Sequence, residues 1–510
     1  MTEHGPTAQA RVKWVGLLAG PALAALAYVL LPETYSNTLG ELLAFSHAGR
    51  MTAALGVWMA TWWMTQAMPV SVTALLPLAV LPISGAMPIT EVAAPYAHEL
   101  IFLFMGGFIL ALSMQRWGLH RRFAFAVLRG VGSEPLRLVG GFMLITAALS
   151  MWVSNTATTI MMLPIALSVI AVFEGTRDGQ EPTRPSPASD RARRNFALCL
   201  LLGVAYAASI GGIGTLIGTP PNLFLASYAK SNLDVEISFV RWMGVGLPLV
   251  ATFLPLTWLL LTRALFPIDR RELPSPCVDE VCEDLGPMGR GERVTLVVFA
   301  AAALLWVTRP LLEGVSVAGG TPFAGLSDTA IAMAAAIALF VIPVDVGKSE
   351  FVMDWKTASK LPWGLLLLFG GGLSLAASVK ATGVGEFIAN QVASLAGLPP
   401  VVVVLLVVTL LIFLTELTSN TATTATLVPI LAALAPGMGL PPLLLIVPAA
   451  IAASCAFMLP VATPPNAIVF GSGYVTVPQM ARAGIWLNIV GIALITALTY
   501  AVAMPLLGAR

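Results

Sequence analysis

Two short polar sequences, each written twice into an apolar chain, hold the groups that could do chemistry. Ser154-Asn155-Thr156-Ala157-Thr158-Thr159 returns 265 residues later as Ser419-Asn420-Thr421-Ala422-Thr423-Thr424. Thr219-Pro220-Pro221-Asn222 returns 244 residues later as Thr463-Pro464-Pro465-Asn466. Amides and hydroxyls can hydrogen-bond a carboxylate from several directions, but they cannot neutralise it. A dianion held by such groups needs mobile countercharge. At about 4 Å and an effective dielectric of about 20, a cation–anion pair is worth about 4 kcal/mol. Unwound carbonyls and hydroxyl oxygens suit a small hard cation such as Na+. Half-helix N-termini offer free N–H groups and partial positive charge to an anion. Co-transport of a dianion with Na+ fits this inventory, with protons as the other possible coupling ion. The windows 138–176, 195–229 and 381–481 contain both repeated pairs and no Lys or Arg. The expected site therefore consists of neutral groups alone.

The elements that must position these residues lie in a membrane. The 510 residues have a mean hydropathy of +0.87, with 57% hydrophobic and 10% charged residues. Soluble chains carry about 25% charged residues, so an ordinary water-soluble enzyme is excluded, and the apolar content excludes disorder. Spanning runs need about 20 residues. They are read at 13–31, 52–68, 70–87, 99–116, 196–228, 242–266, 293–311, 327–343, 362–379, 443–475 and 481–507. The first follows Arg11 and Lys13 and is read as a retained helix rather than a signal peptide. Of 27 basic residues, 20 fall in the N-terminus, the loops 116–137, 174–195, 267–293 and 344–361, and Arg482. These segments are expected in the cytoplasm, with the N-terminus inside and the C-terminus outside.

Both flanks of 138–173 are basic, so this stretch must enter and leave on one side. It is too short for two full spans. Two arms of about 15 residues, each about 22 Å long at 1.5 Å per residue, make a re-entrant hairpin with the first polar sequence at its tip. The second apolar stretch, 399–434, is its counterpart by repetition. The offset of 265 also relates Phe104 to Phe369, Gly106-Gly107 to Gly371-Gly372 and Pro164 to Pro429, and the charged loop 174–194 accounts for the shorter offset of the Pro-Pro pair. The expected organisation is an N-terminal tail and first helix (1–51), a first repeat (52–266) with hairpin 138–173 and broken helix 196–228, a linker (267–292), and a second repeat (293–507) with hairpin 399–434 and broken helix 443–475. The repeats are inverted, as in secondary transporters with a midplane site between them.

Glu416 stands three residues before the second tip, where the first repeat has Met151. It is read either as a functional intramembrane acid or as a carboxyl that shapes the hairpin through Thr415 or Thr418. His98 and Glu99 open a span at its outer interface. Cys199 and Cys455 sit in apolar runs, and Cys277 and Cys282 share a polar loop, read as reduced thiols rather than a metal pair. There is no HExxH, and His4, His47, His98 and His120 all lie away from the tips. No catalytic residues, enzyme activity or nucleic-acid partner are expected.

The doubled SNTATT, with Gly218-Thr219-Pro220-Pro221-Asn222 and Ala462-Thr463-Pro464-Pro465-Asn466, resembles the divalent anion:sodium symporter (DASS) family over residues 50–507. That resemblance implies an all-α inverted-repeat elevator transporter of about 11 transmembrane helices plus two re-entrant hairpins, homodimeric, in the plasma membrane. It implies Na+-coupled symport of succinate, malate or fumarate, with citrate or sulfate symport and sodium-independent exchange as the family's other modes. One sodium site would use Ser150, Ser154, Asn155 and the Gly218 carbonyl, and the other Thr415, Thr418, Asn420 and the Ala462 carbonyl. The substrate carboxylates would meet Ser154, Asn155, Thr156, Thr219, Ser419, Asn420, Thr421, Thr463 and Pro464. Inversion symmetry separately pairs Ser150 with Thr415, Asn155 with Asn420 and Gly218 with Ala462.

Overall fold

Backbone that leaves water must bond to itself, and long apolar runs do so by coiling into helices. The computed structural model describes residues 8–36, 42–132, 134–174, 187–268, 285–313, 315, 321–323, 325–391 and 397–507. The chain is a helical polytopic membrane protein. Among the described residues, eight helices are long and apolar enough to cross a membrane, accompanied by five shorter apolar helices. Among the described residues, strands are confined to two small hairpins, Thr34–Ser36 with Leu42–Ala44 and Pro343–Asp345 with Glu350–Phe351. Most of the 267–292 linker, Cys277 and Cys282 included, lies outside the described residues, as does most of the 174–194 loop.

The two polar tips are tight turns between antiparallel arms. Pro135–Ser150 and Asn155–Glu174 form the first hairpin, and Pro400–Thr415 and Asn420–Gly437 the second. The second arm of the first hairpin is longer than expected: its 20 residues rise about 30 Å. The added length is at the tip, whose residues 155–159 form the first turn of the helix; the far end, Glu174, is one residue past the apolar run.

Two helices are broken where the Pro-Pro pairs stand. Pro187–Gly212 and Pro220–Leu233 are separated by seven residues, and Pro442–Ala453 and Pro464–Phe470 by ten. Pro lacks an N–H and is best accommodated in the first turn of a helix, so each adjacent pair favours restarting a helix over continuing one. The unwound carbonyls are satisfied by side chains. Asn222 Nδ2 donates to Gly212 O (3.1 Å), Ile213 O (3.3 Å) and Thr215 O (2.8 Å). Asn466 Nδ2 donates to Ala456 O (3.2 Å) and Leu459 O (3.1 Å). Both asparagines are fully buried. The next helix packs on each break through a glycine: a Cβ on Gly246 would lie 2.5 Å from Ile213 O, and one on Gly484 2.4 Å from Phe457 O.

Other details differ from the sequence reading. The 70–87 run is two short helices, Val70–Thr73 and Leu76–Ile83, the second holding Pro77 and Pro82. The basic 116–137 loop contains the amphipathic helix Leu119–Val131. Near the centre of the molecule, Phe104 of helix Glu99–Arg116 stacks on Phe369 of helix Trp363–Ala381 at 4.8 Å. These are the two phenylalanines related by the 265-residue offset.

Candidate functional site

The hairpin tips and the helix breaks converge on one cavity of about 610 Å³. Of the 14 site residues named from sequence, 12 line it: Ser154, Asn155, Thr156, Gly218, Thr219, Thr418, Ser419, Asn420, Thr421, Ala462, Thr463 and Pro464. The other two, Ser150 and Thr415, sit one layer behind, both fully buried. Their hydroxyls reach the tip asparagines with the same geometry: Ser150 Oγ is 2.7 Å from Asn155 Oδ1, and Thr415 Oγ1 is 2.7 Å from Asn420 Oδ1. Each hydroxyl also reaches a broken-helix carbonyl, Ala208 O at 2.7 Å and Ala453 O at 3.0 Å. A hydroxyl has one proton, so it donates to only one of these two oxygens at a time. Around each tip asparagine, oxygen atoms therefore outnumber protons.

On the first side this oxygen cluster has room because of two glycines. A Cβ on Gly212 would lie 2.5 Å from Asn155 Oδ1 and 3.1 Å from Gly218 O, and a Cβ on Gly218 would lie 2.4 Å from Gly212 O. The donor set of hydroxyl, amide oxygen and main-chain carbonyl is of the hard-oxygen kind that Na+ takes. Among the described residues no cluster of three or more His, Cys, Asp or Glu could hold another metal. Thr418 is spent locally, with its Oγ1 2.9 Å from Leu414 O and 2.7 Å from Thr423 Oγ1. Its proton is then engaged away from the cavity, which favours its carbonyl as the group facing an ion.

On the cavity side, Asn155 and Asn420 begin helices, as do Pro220 and Pro464. Four helix starts, two from hairpins and two from broken helices, meet one space. The hairpin helices contribute free first-turn N–H groups. At the Pro-Pro starts the two prolines have no N–H, and the next residues, Asn222 and Asn466, donate theirs to Thr219 O (3.2 Å) and Thr463 Oγ1 (3.4 Å). Hydrogen bonds from the main chain are thus concentrated at the two tips.

Sequence reasoning missed three groups. Asn222 and Asn466 tie the breaks together, as described above. Lys360, with Gln66 and Gln115, lines the same cavity. The expectation of neutral groups alone holds at the tips and fails at Lys360, just before helix Trp363–Ala381; Gln66 and Gln115, at the ends of helices His47–Thr65 and Glu99–Arg116, are neutral. At the other end of the molecule, Lys230 pairs with Glu99. There too Arg309 pairs with Glu236 (2.9 Å), Glu313 (3.2 Å) and Asp328 (3.4 Å).

Glu416 lies beside the second break and lines no part of the cavity. Its carboxylate is buried and accepts from three successive backbone N–H groups: Phe457 (2.8 Å), Met458 (3.0 and 3.1 Å) and Leu459 (3.2 Å). Asn488 Nδ2 donates to it at 2.9 Å. Every near neighbour is a donor, an arrangement that suits an ionised carboxylate holding the unwound segment to the hairpin. The first repeat makes this tie without charge: the Thr215 hydroxyl donates to the carbonyl of Met151, the residue standing where Glu416 stands in the second.

Comparison with known proteins bears on what this geometry serves. Residues 36–508 match the family described as the sodium:sulfate symporter transmembrane region. The sodium-dependent dicarboxylate transporter SdcS of Staphylococcus saprophyticus is 41% identical over 498 residues, covering 97% of this chain and 92% of that protein. SdcS of Staphylococcus aureus strain USA300 is 41% identical over 464 residues, covering 90% and 87%. The crystal structure of the Alcanivorax borkumensis YdaH transporter shares the fold, with a TM-score of 0.58 over 96% of this chain and 98% of that one at 16% identity.

The geometry around Glu416 yields a stability prediction. Glu416→Gln replaces one acceptor oxygen by a donor facing N–H groups, and an unmet buried group costs about 1–3 kcal/mol. The purified variant is expected to unfold several degrees below wild type, while transport by the surviving folded protein keeps the wild-type pH profile. Unchanged thermal stability together with pH-independent transport would instead make Glu416 the proton carrier.

Proposed function

Because this chain belongs to the sodium:sulfate symporter transmembrane-region family, we propose that it is a secondary transporter carrying a four-carbon dicarboxylate such as succinate, malate or fumarate together with Na+. The observation that carries this reading is the meeting of both Ser-Asn-Thr tips and both Thr-Pro-Pro-Asn breaks on one cavity. Its volume of about 610 Å³ is within the range of small-molecule sites. SdcS, at 41% identity, is named for sodium-dependent dicarboxylate transport. Acyl transfer or hydrolysis has no support at the tips, which offer no titratable side chain as acid, base or activated nucleophile.

In this reading Na+ is held by Ser150, Ser154, Asn155 and the Gly218 carbonyl on one side. Thr415, Thr418, Asn420 and the Ala462 carbonyl hold a second ion on the other. The dianion lies between, against Ser154, Asn155, Thr156, Thr219, Ser419, Asn420, Thr421, Thr463 and Pro464. The two asparagines are the coupling elements. Asn155 Oδ1 and Asn420 Oδ1 are engaged from behind by Ser150 and Thr415, which leaves each Nδ2 to donate to a carboxylate. A cation on the oxygen side polarises the amide, strengthens that donation and fixes the rotamer. The ion therefore raises anion affinity both by Coulomb attraction and by preorganisation.

Residues 52–266 and 293–507 are read as inverted repeats. In support, both tip hydroxyl–amide pairs measure 2.7 Å, and π-helical turns at Leu260–Leu265 and Thr499–Ala503 fall at matching places. With the basic loops cytoplasmic, the cavity end at Gln115 and Lys360 faces the cytoplasm, and the ion pairs of Glu99 and Arg309 close the outer face. An elevator motion of the hairpins and broken helices against the remaining helices, within a homodimer, is the transport step that the family resemblance supports.

Purified protein in liposomes is expected to accumulate succinate under an imposed Na+ gradient; equal uptake with Na+ replaced by K+, at any pH, would defeat the coupling. Asn155→Ala or Asn420→Ala removes one or two hydrogen bonds to a charged guest, worth about 1.5–3 kcal/mol each, and should lower uptake roughly tenfold or more in a folded protein. Gly212→Ala puts a Cβ 2.5 Å from Asn155 Oδ1. It is expected to raise the Na+ half-saturation severalfold, and an unchanged Na+ response would move the cation away from Gly212.

A further inference from the structure

The cavity that gathers the neutral tips has one charged residue among its described lining, Lys360. Its place is set by the turn before helix Trp363–Ala381: Lys360 N donates to Thr357 O (3.1 Å), Leu361 N to Ala358 O (3.0 Å), and Trp363 Nε1 to Ser359 O (3.1 Å). No ion pair is formed between its ammonium and the described residues, so its field is not cancelled by a nearby carboxylate. Lys360 is exposed and stands with Gln66 and Gln115, at helix ends. It belongs to the mouth and not to the tips.

The repeat offset of 265 gives this lysine a meaning. It maps helix Glu99–Arg116 onto Trp363–Ala381, and the short helix Ile89–Ala93 onto Trp355–Ala358. Under the same mapping Lys360 corresponds to Pro95, and Gln115 corresponds to Lys380. Both lysines belong to the second repeat, one at each end of helix Trp363–Ala381, and the matching positions of the first repeat, Pro95 and Gln115, are neutral, so each mouth has one lysine. Lys380 now donates to Asn232 O at 3.0 Å, a neutral carbonyl. Asn232 lies in helix Pro220–Leu233, whose first residue lines the cavity. Movement of that helix relative to Trp363–Ala381 would break this bond and free the ammonium.

We infer that Lys360 and Lys380 are the anion guides of two alternating mouths, Lys360 serving the cavity in the present arrangement and Lys380 serving it when it opens to the opposite face. The inference rests on the dicarboxylate–sodium reading and adds residues to it. A neutral site binds a dianion only with its cations, so the dianion arrives before it can be held. A lysine at the mouth raises the local dianion concentration and repels Na+, and it stays far enough from the tips not to replace the ions there. One lysine per mouth gives both directions of transport the same help.

The test uses full-length protein reconstituted in known orientation, with half-saturation for succinate measured from each face at fixed Na+ and at low or high ionic strength. Lys360→Gln is expected to raise the half-saturation roughly threefold to fivefold from the face bearing the basic loops, and Lys380→Gln by a similar factor from the opposite face. Both differences should vanish in high salt, where the wild type falls to the level of the variants. Lys360→Arg and Lys380→Arg should retain wild-type values, and the Na+ half-saturation should not rise in any variant. An unshifted half-saturation in either glutamine variant, equal shifts from both faces, or shifts that persist in high salt would overturn the inference. A wild-type protein that takes up succinate without Na+, or not at all, would overturn the functional reading instead.

Discussion

Broken backbone inside the membrane has to be satisfied without leaving charge where the guest binds, and the rest of the molecule follows from how this is done. A helix interrupted in hydrocarbon exposes carbonyls and N–H groups, each costing several kcal/mol if unmet. Here buried amides supply donors to the carbonyls: Asn222 to three of them at the first break and Asn466 to two at the second. An amide satisfies carbonyls at no cost in net charge. A lysine in that place would satisfy them equally well and would also neutralise an anion permanently, which would remove any need for a travelling cation. In the proposed function the amide clamp therefore serves the coupling, although neither asparagine lines the cavity.

The two halves solve one problem with different chemistry. At the first break, Thr215 donates to the Met151 carbonyl and glycines 212 and 218 leave space beside Asn155. At the second, Glu416 accepts three backbone N–H bonds, and alanines stand at the positions matching those glycines. The second break is longer by three residues. It leaves successive N–H groups pointing inward, and a carboxylate is the side chain that can take several at once. The charge of Glu416 is consumed by this nest, and the Asn488 amide caps it from the next helix. The repeated sequence is thus identical at the tips, while the supports differ to suit the local backbone.

Much of this was legible in the sequence because the signal was periodic and doubled. The repeated Ser-Asn-Thr and Pro-Pro-Asn segments located the cavity, and apolar run lengths with basic flanks located the helices and the first hairpin. What escaped depended on contacts between distant segments. Glu416 could be read from sequence as a carrier or as a support; only the approach of residues 457–459 and Asn488 shows what surrounds it. Lys360 was assigned to a loop by its composition, and the fold brings that loop to the cavity mouth. Helix Leu119–Val131 was hidden because an amphipathic helix rich in arginine has the hydropathy of a loop. The second arm of the first hairpin was underestimated because the polar tip residues 155–159, read as a break, are themselves its first helical turn.

The distribution of ion pairs bears on how such a molecule can move. At the face opposite Lys360, buried Arg309 joins helix Arg290–Leu312 to Glu236 in the connection leading out of helix Pro220–Leu233, and Lys230 joins that same helix to Glu99. Asp328, which pairs with Arg309, also accepts from Phe239 N at 2.9 Å. At the basic face, Arg116 holds Asp354 (2.5 Å) and Arg122 holds Glu292 (3.1 Å). Truncating one partner of a buried pair is costly because it strands a charge, whereas separating both partners into water returns their hydration and costs far less. Glu236 is already half exposed. Opening that face would therefore rehydrate the ends of the clasp instead of stranding them. Two states of a transporter must lie within a few kcal/mol of each other for a bound guest to shift between them. Ion pairs that come apart into solvent meet that constraint, and an apolar seal of the same area would make the closed face too stable to open.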